Sequence, residues 1–126
     1  VLVGDHLALT GSIVDCGMKV HQGLGPGLLE SAYEHCLIRE LADRGIGVRR
    51  QVVLPIVYRG QSLDAGYRLD LLVEEVVIVE IKSVETVTAL HHAQVHTYLK
   101  LSGLRVGLLM NFNVVLFKQG LRRIVL

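Results

Sequence analysis

The sequence predicts a mixed α/β domain, with a central sheet of parallel and antiparallel strands flanked by helices. Three observations carry this expectation. The chain opens with two stretches of helical periodicity, and β-rich runs follow them. Two of those runs, Leu69 to Val73 and Val76 to Ile81, are apolar on both faces, which requires cover on both sides of the sheet. The resulting order, ααβββαβββ, fits a sheet between helices better than a sandwich or a bundle.

The elements follow in turn. Thr10 and then Ser12 to His21 read as a first helix, with Ile13, Gly17, Val20, His21 and Leu24 on one side. It ends at the stop-and-restart signal Leu24-Gly25-Pro26-Gly27. A second helix is expected from Leu28 to Arg44, its stripe formed by Leu29, Ala32, Tyr33, Cys36, Leu37 and Leu41, with Gly45 closing it. Val48 to Tyr58 alternates loosely as a strand, and Arg59-Gly60-Gln61 turns the chain into a strand from Leu63 to Val73. Glu74-Glu75 interrupts the apolar run, which resumes from Val76 to Lys82. A third helix spans Thr88 to Ser102, closed by Gly103. Strands are expected at Leu104 to Met110, Val114 to Lys118 and Leu121 to Val125.

A chain of 126 residues is one domain's worth, so a single unit spanning residues 1–126 is expected. Hydrophobic residues make up 51%, enough for a core without metal or disulfide staples. Aromatics are 5% and Trp is absent, so Leu, Val and Ile must build that core. The apolar excess leaves room for a homodimer or a protein partner. The net charge of +1 excludes a protein that grips nucleic acid by bulk charge, so any such contact must be local. Cys16 and Cys36 lie in helical segments without metal-ligand spacing, as expected of core thiols in a reducing cytoplasm. No signal peptide is visible. The longest apolar stretch, Leu104 to Phe117, is interrupted by Arg105, Asn111 and Asn113 and is too short to span a membrane.

The chemical signal is Asp70-Leu71-Leu72 ahead of Glu80-Ile81-Lys82. Residues two apart on a strand share a face, so Glu80 and Lys82 point the same way. A hairpin centred on Glu75 sets Asp70 opposite Glu80, which requires an odd-numbered or bulged turn. A two-residue turn at Glu74-Glu75 would pair Asp70 with Val79 and separate the acids. Two opposed carboxylates suit a hard cation such as Mg2+, with Mn2+ as an alternative and the Ile81 carbonyl as a third ligand. Lys82 would then orient the nucleophile or stabilise developing charge. The competing reading is a cross-strand ion pair on a solvated face. Its weakness is the apolar setting, where unpaired charge is costly.

Other residues leave two readings open. Glu30 falls within about 20° of Leu37 and Leu41 on the helical wheel, so it is either a further metal ligand or a carboxylate favoured by the helix N-terminus. Gln94 and Tyr98 share a face of the third helix, with His91 one turn earlier. This strip either holds a phosphate or the attacking water, or is a solvated face. Arg68 either meets a substrate phosphate or pairs with an acid. His91, His92 and His96 lack a fourth ligand and an H-E-x-x-H pattern, which argues against zinc.

At this point the chain resembles a family. Gly27-Leu28-Leu29-Glu30-Ser31-Ala32-Tyr33 matches the signature of the bacterial GxxExxY proteins. The likeness continues through Tyr67-Arg68-Leu69-Asp70, Glu80-Ile81-Lys82, Gln94 to Lys100, Gly107-Leu108-Leu109 and Asn111-Phe112. That family is placed in the PD-(D/E)xK nuclease superfamily, and Gln94-x-x-x-Tyr98 resembles the extra motif of its RecB-like branch. The resemblance implies a restriction-endonuclease-like core. It also implies Asp70 and Glu80 as metal ligands, Lys82 as the catalytic lysine, Glu30 as the helix acid, and Gln94 with Tyr98 as an auxiliary pair. Asn113 and His96 depart from the pattern outside the core site.

The expected function is therefore a magnesium-dependent phosphodiesterase acting on nucleic acid, DNA before RNA. Its rival is a non-catalytic nucleic-acid-binding or partner-docking module that retains the fold. A third reading, a subunit that cleaves only when delivered by a partner, joins the two.

Overall fold

A computed structural model describes residues 5–126, so the first four residues of the expected unit lie outside the described residues. The chain runs α1 (Leu7–Leu24), α2 (Glu30–Asp43), β1 (Val48–Val53), β2 (Ile56–Tyr58), β3 (Gln61–Leu63), β4 (Arg68–Val73), β5 (Val77–Lys82), α3 (Ala89–Ser102), β6 (Val106–Asn111), α4 (Phe117–Gly120) and β7 (Leu121–Val125). Five strands form one sheet in the order β1-β4-β5-β6-β7. Only β5 and β6 are parallel, and α3 is the crossover between them.

The sheet is covered on both faces, as its apolar central strands require. On one side Ile13, Cys16 and Val20 of α1 and Tyr33, Leu37 and Leu41 of α2 pack on Leu71, Val73, Val77, Val79, Leu108 and Met110. On the other, Val95, Tyr98 and Leu99 of α3 pack on Leu72, Ile78, Leu109 and Ile124. Each fully buried leucine or valine stabilises the fold by about 1.5–3 kcal/mol. Close approach needs glycine at several points, most of all at Gly120, where a Cβ would collide with the Asn111 carbonyl oxygen. A Cβ on Gly17 would come within 2.7 Å of the Phe117 ring, and one on Gly107 within 2.7 Å of Val95.

The turn between α1 and α2 shows what the glycines and the tyrosine of the Gly27-to-Tyr33 segment do. Gly25 and Gly27 take positive φ, 68° and 98°. The Tyr33 hydroxyl donates to the Gly25 carbonyl (2.6 Å) and accepts from the Leu28 N–H (3.1 Å). Its ring stacks on Phe112 with centroids 4.5 Å apart. Tyr33 therefore ties the turn to the end of β6. At α3 the Thr88 side chain caps the helix and Gly103 ends it at φ 74°.

The order departs from ααβββαβββ in two places. The runs expected as strands at 48–58 and 63–73 each divide. Pro55 has no N–H for a ladder, so β1 ends at Val53 and a separate hairpin, β2–β3, begins at Ile56. Asp64 then accepts the Gly66 N–H (3.0 Å), with Gly66 at φ 86°, which turns the chain before β4. The expected strand Val114–Lys118 is instead a turn leading into α4. Asn111 and Asn113 grip Val84 at the end of β6, and Phe117 turns inward beside Gly17 while Val115 and Leu116 stay exposed. Packing overrides β-propensity here. Both cysteines are free thiols, Cys16 buried and Cys36 half-buried. Among the described residues no helix is long and apolar enough to cross a membrane.

Candidate active site

The hairpin of β4 and β5 pairs Leu71 with Val79, Leu72 with Ile78 and Val73 with Val77. Three residues, Glu74 to Val76, form the turn, so the odd-numbered register holds and Asp70 stands opposite Glu80 by continuation. The turn uses the left-handed region at two non-glycine residues, Glu74 (φ 51°) and Glu75 (φ 60°), at about 1–2 kcal/mol each. Their side chains offset part of that cost. Glu75 takes a two-pronged bond from Arg49 (2.7 and 2.8 Å), and Glu74 accepts the Gly47 N–H (3.1 Å).

Beyond Leu71 and Val79 the ladder gives way to the two acids. The Asp70 N–H donates to Glu80 Oε2 (2.8 Å), and the Ile81 N–H donates to Asp70 Oδ2 (2.8 Å). Carboxylates stand where carbonyls of the facing strand would otherwise accept, so β4 and β5 fork at this point. The other edge of β5 stays paired with β6 through Lys82, whose carbonyl accepts the Phe112 N–H (3.0 Å). Peptide groups alternate sides along a strand, so the Ile81 carbonyl faces the fork together with its N–H.

Asp70 reaches this position because the alternation of its strand fails. Leu69 packs on the α3 side and Leu71 on the α1–α2 side, although two-residue spacing should keep them on one face. On β1, Val48 and Val52 divide in the same way. The break falls at Gln51 and Asp70, which lie across from each other in the register and leave a gap in the pairing. Gln51 has φ 50°, a left-handed break in β1 across which the register with β4 is unchanged. Asp70 is therefore turned into the plane of the sheet rather than onto the face shared by Glu80 and Lys82.

The electrostatics match so crowded an arrangement. Glu80 is 3% exposed. Burial first, and then the charge of Asp70, push its carboxyl up to about 8 from an ordinary 4.5. The Asp70 carboxyl is raised as well, chiefly by burial, with the Ile81 N–H acting in the opposite sense. Lys82 favours the charged form of both acids, and Glu34 disfavours it.

Glu34 is the residue that sequence reasoning missed. It lies on α2, 6% exposed, and accepts from Arg50 (3.1 Å) and from Gln51 (3.2 Å). A signal was available, because Glu34 precedes the buried Leu37 and Leu41 by three and seven residues. Glu30 is instead exposed at the start of α2, where it accepts the Ser83 N–H (3.2 Å) one residue past Lys82.

The remaining expected residues gather around α3, with one exception. Lys82, His91, Gln94 and Tyr98 line a groove of about 820 Å3, together with Tyr67. Burial raises the Tyr98 hydroxyl most and the charge of Glu80 adds to this, while a hydrogen bond from Gln94 works against both. His91 also caps its own helix: its Nδ1 accepts the Thr88 N–H (3.0 Å), which leaves the proton on Nε2. Arg68 is the exception. Its guanidinium pairs with Asp64 (3.2 Å) and with the Tyr67 carbonyl (2.9 Å).

A model of the PD-(D/E)XK nuclease superfamily matches residues 8–124, from α1 to β7. The chain belongs to that superfamily. The five-stranded mixed sheet between helices accords with the restriction-endonuclease-like fold of PD-(D/E)XK proteins. No curated protein and no solved structure shows significant similarity to the chain. Divalent metal ions are general in PD-(D/E)XK nucleases, so the donor set here can be tested for fit. Among the described residues no three His, Cys, Asp or Glu side chains converge to hold a metal. Two carboxylates and a main-chain carbonyl at the fork do suit a cation that keeps several waters and takes substrate phosphate oxygens, as magnesium does.

Proposed function

We propose that the chain is a divalent-cation-dependent nuclease that hydrolyses phosphodiester bonds in nucleic acid, DNA before RNA. We place it in the GxxExxY family of the RecB-like branch. The observation that carries this reading is the fork: the buried Glu80 and the half-buried Asp70 replace the strand ladder, with Lys82 on the same strand face as Glu80 and lining the adjacent groove. Asp70, Glu80 and the Ile81 carbonyl would hold Mg2+ or Mn2+. When bound, the cation would supply a Lewis acid for the phosphate and make water more acidic.

The chain's own residues do the rest. Lys82 meets a non-bridging phosphate oxygen and stabilises the charge that grows as water adds to phosphorus and the leaving oxygen departs. Gln94 and Tyr98 orient the phosphate or the water. Glu30 orders the backbone just past Lys82, and the His91 Nε2–H is a donor for substrate.

The test is incubation of purified protein with linear, circular and single-stranded DNA and with RNA, adding Mg2+, Mn2+ or chelator. Cleavage should need the cation and be lost in Lys82→Ala. Undiminished cleavage by that variant would refute these roles. A non-catalytic module is the second reading, favoured by the net charge of +1 and by the lack of a third converging acid among the described residues. Failure to cleave together with failure to bind Mn2+ in calorimetry would decide for it.

A further inference from the structure

We infer that the groove beside Lys82 is a subsite for an unpaired nucleobase, so that the substrate class of the proposed site is single-stranded nucleic acid. This rests on the nuclease reading for its chemistry, but its binding test stands apart from cleavage. The groove runs between α3 and the approach to β4, with Ile56 of β2 forming part of its wall. Its volume, about 820 Å3, is that of a pocket that encloses a drug-sized molecule. That is room for a base and its sugar, and far too small for a duplex.

The lining is chosen for a flat, apolar guest with a few polar edges. Tyr67 is 45% exposed and its ring lies at 65° to that of Tyr98 with centroids 6.3 Å apart, so Tyr98 braces the ring while much of it stays open. Leu90 stands 77% exposed on α3 and presents an apolar side chain to the groove. The polar groups of the lining include Gln94, Thr97 and the His91 Nε2–H, all suited to base edges or sugar hydroxyls. Lys82 is the one lining side chain with a permanent charge, and it lies toward the acid pair, where the phosphate belongs.

Charge argues in the same direction. A duplex binder sets a row of lysines and arginines against many phosphates. Here Arg49 is held by Glu75, Arg50 by Glu34 and Arg68 by Asp64. What the groove offers instead is stacking, which tolerates any base and works only on a face that no neighbouring pair covers.

The experiment is fluorescence anisotropy in excess chelator, with labelled 12-nucleotide oligothymidylate, oligouridylate and a 12-base-pair duplex. Single strands should bind at least tenfold more tightly than duplex, and comparison of the two single strands separates DNA from RNA as the natural source. Tyr67→Ala should weaken single-strand binding roughly 5- to 150-fold, the loss typical of one base–aromatic stack. Tyr67→Phe should retain it. Unchanged circular dichroism and melting of Tyr67→Ala would exclude unfolding as the cause. Equal affinity for duplex, or no effect of Tyr67→Ala, overturns the subsite even if the protein cleaves DNA. Tight single-strand binding without cleavage under any cation would keep the subsite and refute the nuclease reading instead.

Discussion

Replacing Glu80 with glutamine takes a negative charge out of a place that resists charge, and the consequence can be worked through. Glu80 titrates near 8 in the folded chain against an ordinary 4.5. Below pH 4.5 the carboxyl is protonated whether the chain is folded or not, and nothing is lost. Between the two values the unfolded chain gives up its proton while the folded one keeps it, so stability falls as pH rises. At pH 7 the 2.5 pH units above the ordinary value amount to about 3 kcal/mol, and the loss levels off above pH 8 at about 5 kcal/mol. Glutamine escapes this loss and still accepts the Asp70 N–H through its amide oxygen. The variant should therefore match the wild type at pH 4.5 and exceed it by about 3 kcal/mol at pH 7, or about 10 °C in Tm for a chain of this length. Urea unfolding followed by circular dichroism in chelator, at pH 4.5, 7 and 8.5, measures the gap. Adding Mg2+ at pH 8 should then stabilise the wild type and leave the variant nearly unchanged. A gap that is the same at all three pH values, or a variant less stable at pH 8.5, refutes the argument that burial and Asp70 repulsion govern this acid.

Further outcomes are expected elsewhere. Tyr33→Phe removes two hydrogen bonds at the α1–α2 turn while sparing the stack on Phe112, and should lower stability by about 1–3 kcal/mol in urea titration. An unchanged midpoint would mean that the turn holds itself. Glu34→Gln withdraws a charge that acts on both Asp70 and Glu80, and Mn2+ affinity by calorimetry should fall about fivefold, or about 1 kcal/mol. An affinity equal to wild type would place Glu34 outside the cation's field. Thr88→Ala removes the α3 cap, costing about 1 kcal/mol, and should speed amide exchange in the first turn of that helix.

Much of the fold could be read from apolar run lengths and punctuation. Gly25-Pro26-Gly27 marked the α1–α2 turn, Thr88 and Gly103 bracket α3, and β7 spans the residues expected of it. The β4–β5 register was legible because only an odd turn lets Asp70 meet Glu80. The departures have local causes. Pro55 was visible in the sequence, yet its effect depends on where the sheet needs N–H donors. Val114 to Lys118 has strand-like residues, but Phe117 is drawn to the gap left by Gly17. The rule of alternate faces could not show that Asp70 turns sideways, since that follows from the left-handed Gln51 on a neighbouring strand. Glu30 drew attention on the helical wheel, while the acid that α2 buries is Glu34. Angle about an axis does not say how far along the sheet a residue falls.

The three-residue turn from Glu74 to Val76 makes the candidate site depend on chain length rather than on composition. Many substitutions there would leave two apolar strands still zipped together and the core intact. Deleting a single residue would do something different. Where the shortened chain keeps a three-residue turn by drawing Val73 into it, the strands pair one step out of phase, with Asp70 beside Val79, and the acids look past one another. Sequences of this kind can drift in spelling at the turn, but an insertion or deletion of one residue there is the change most apt to leave a folded, silent chain.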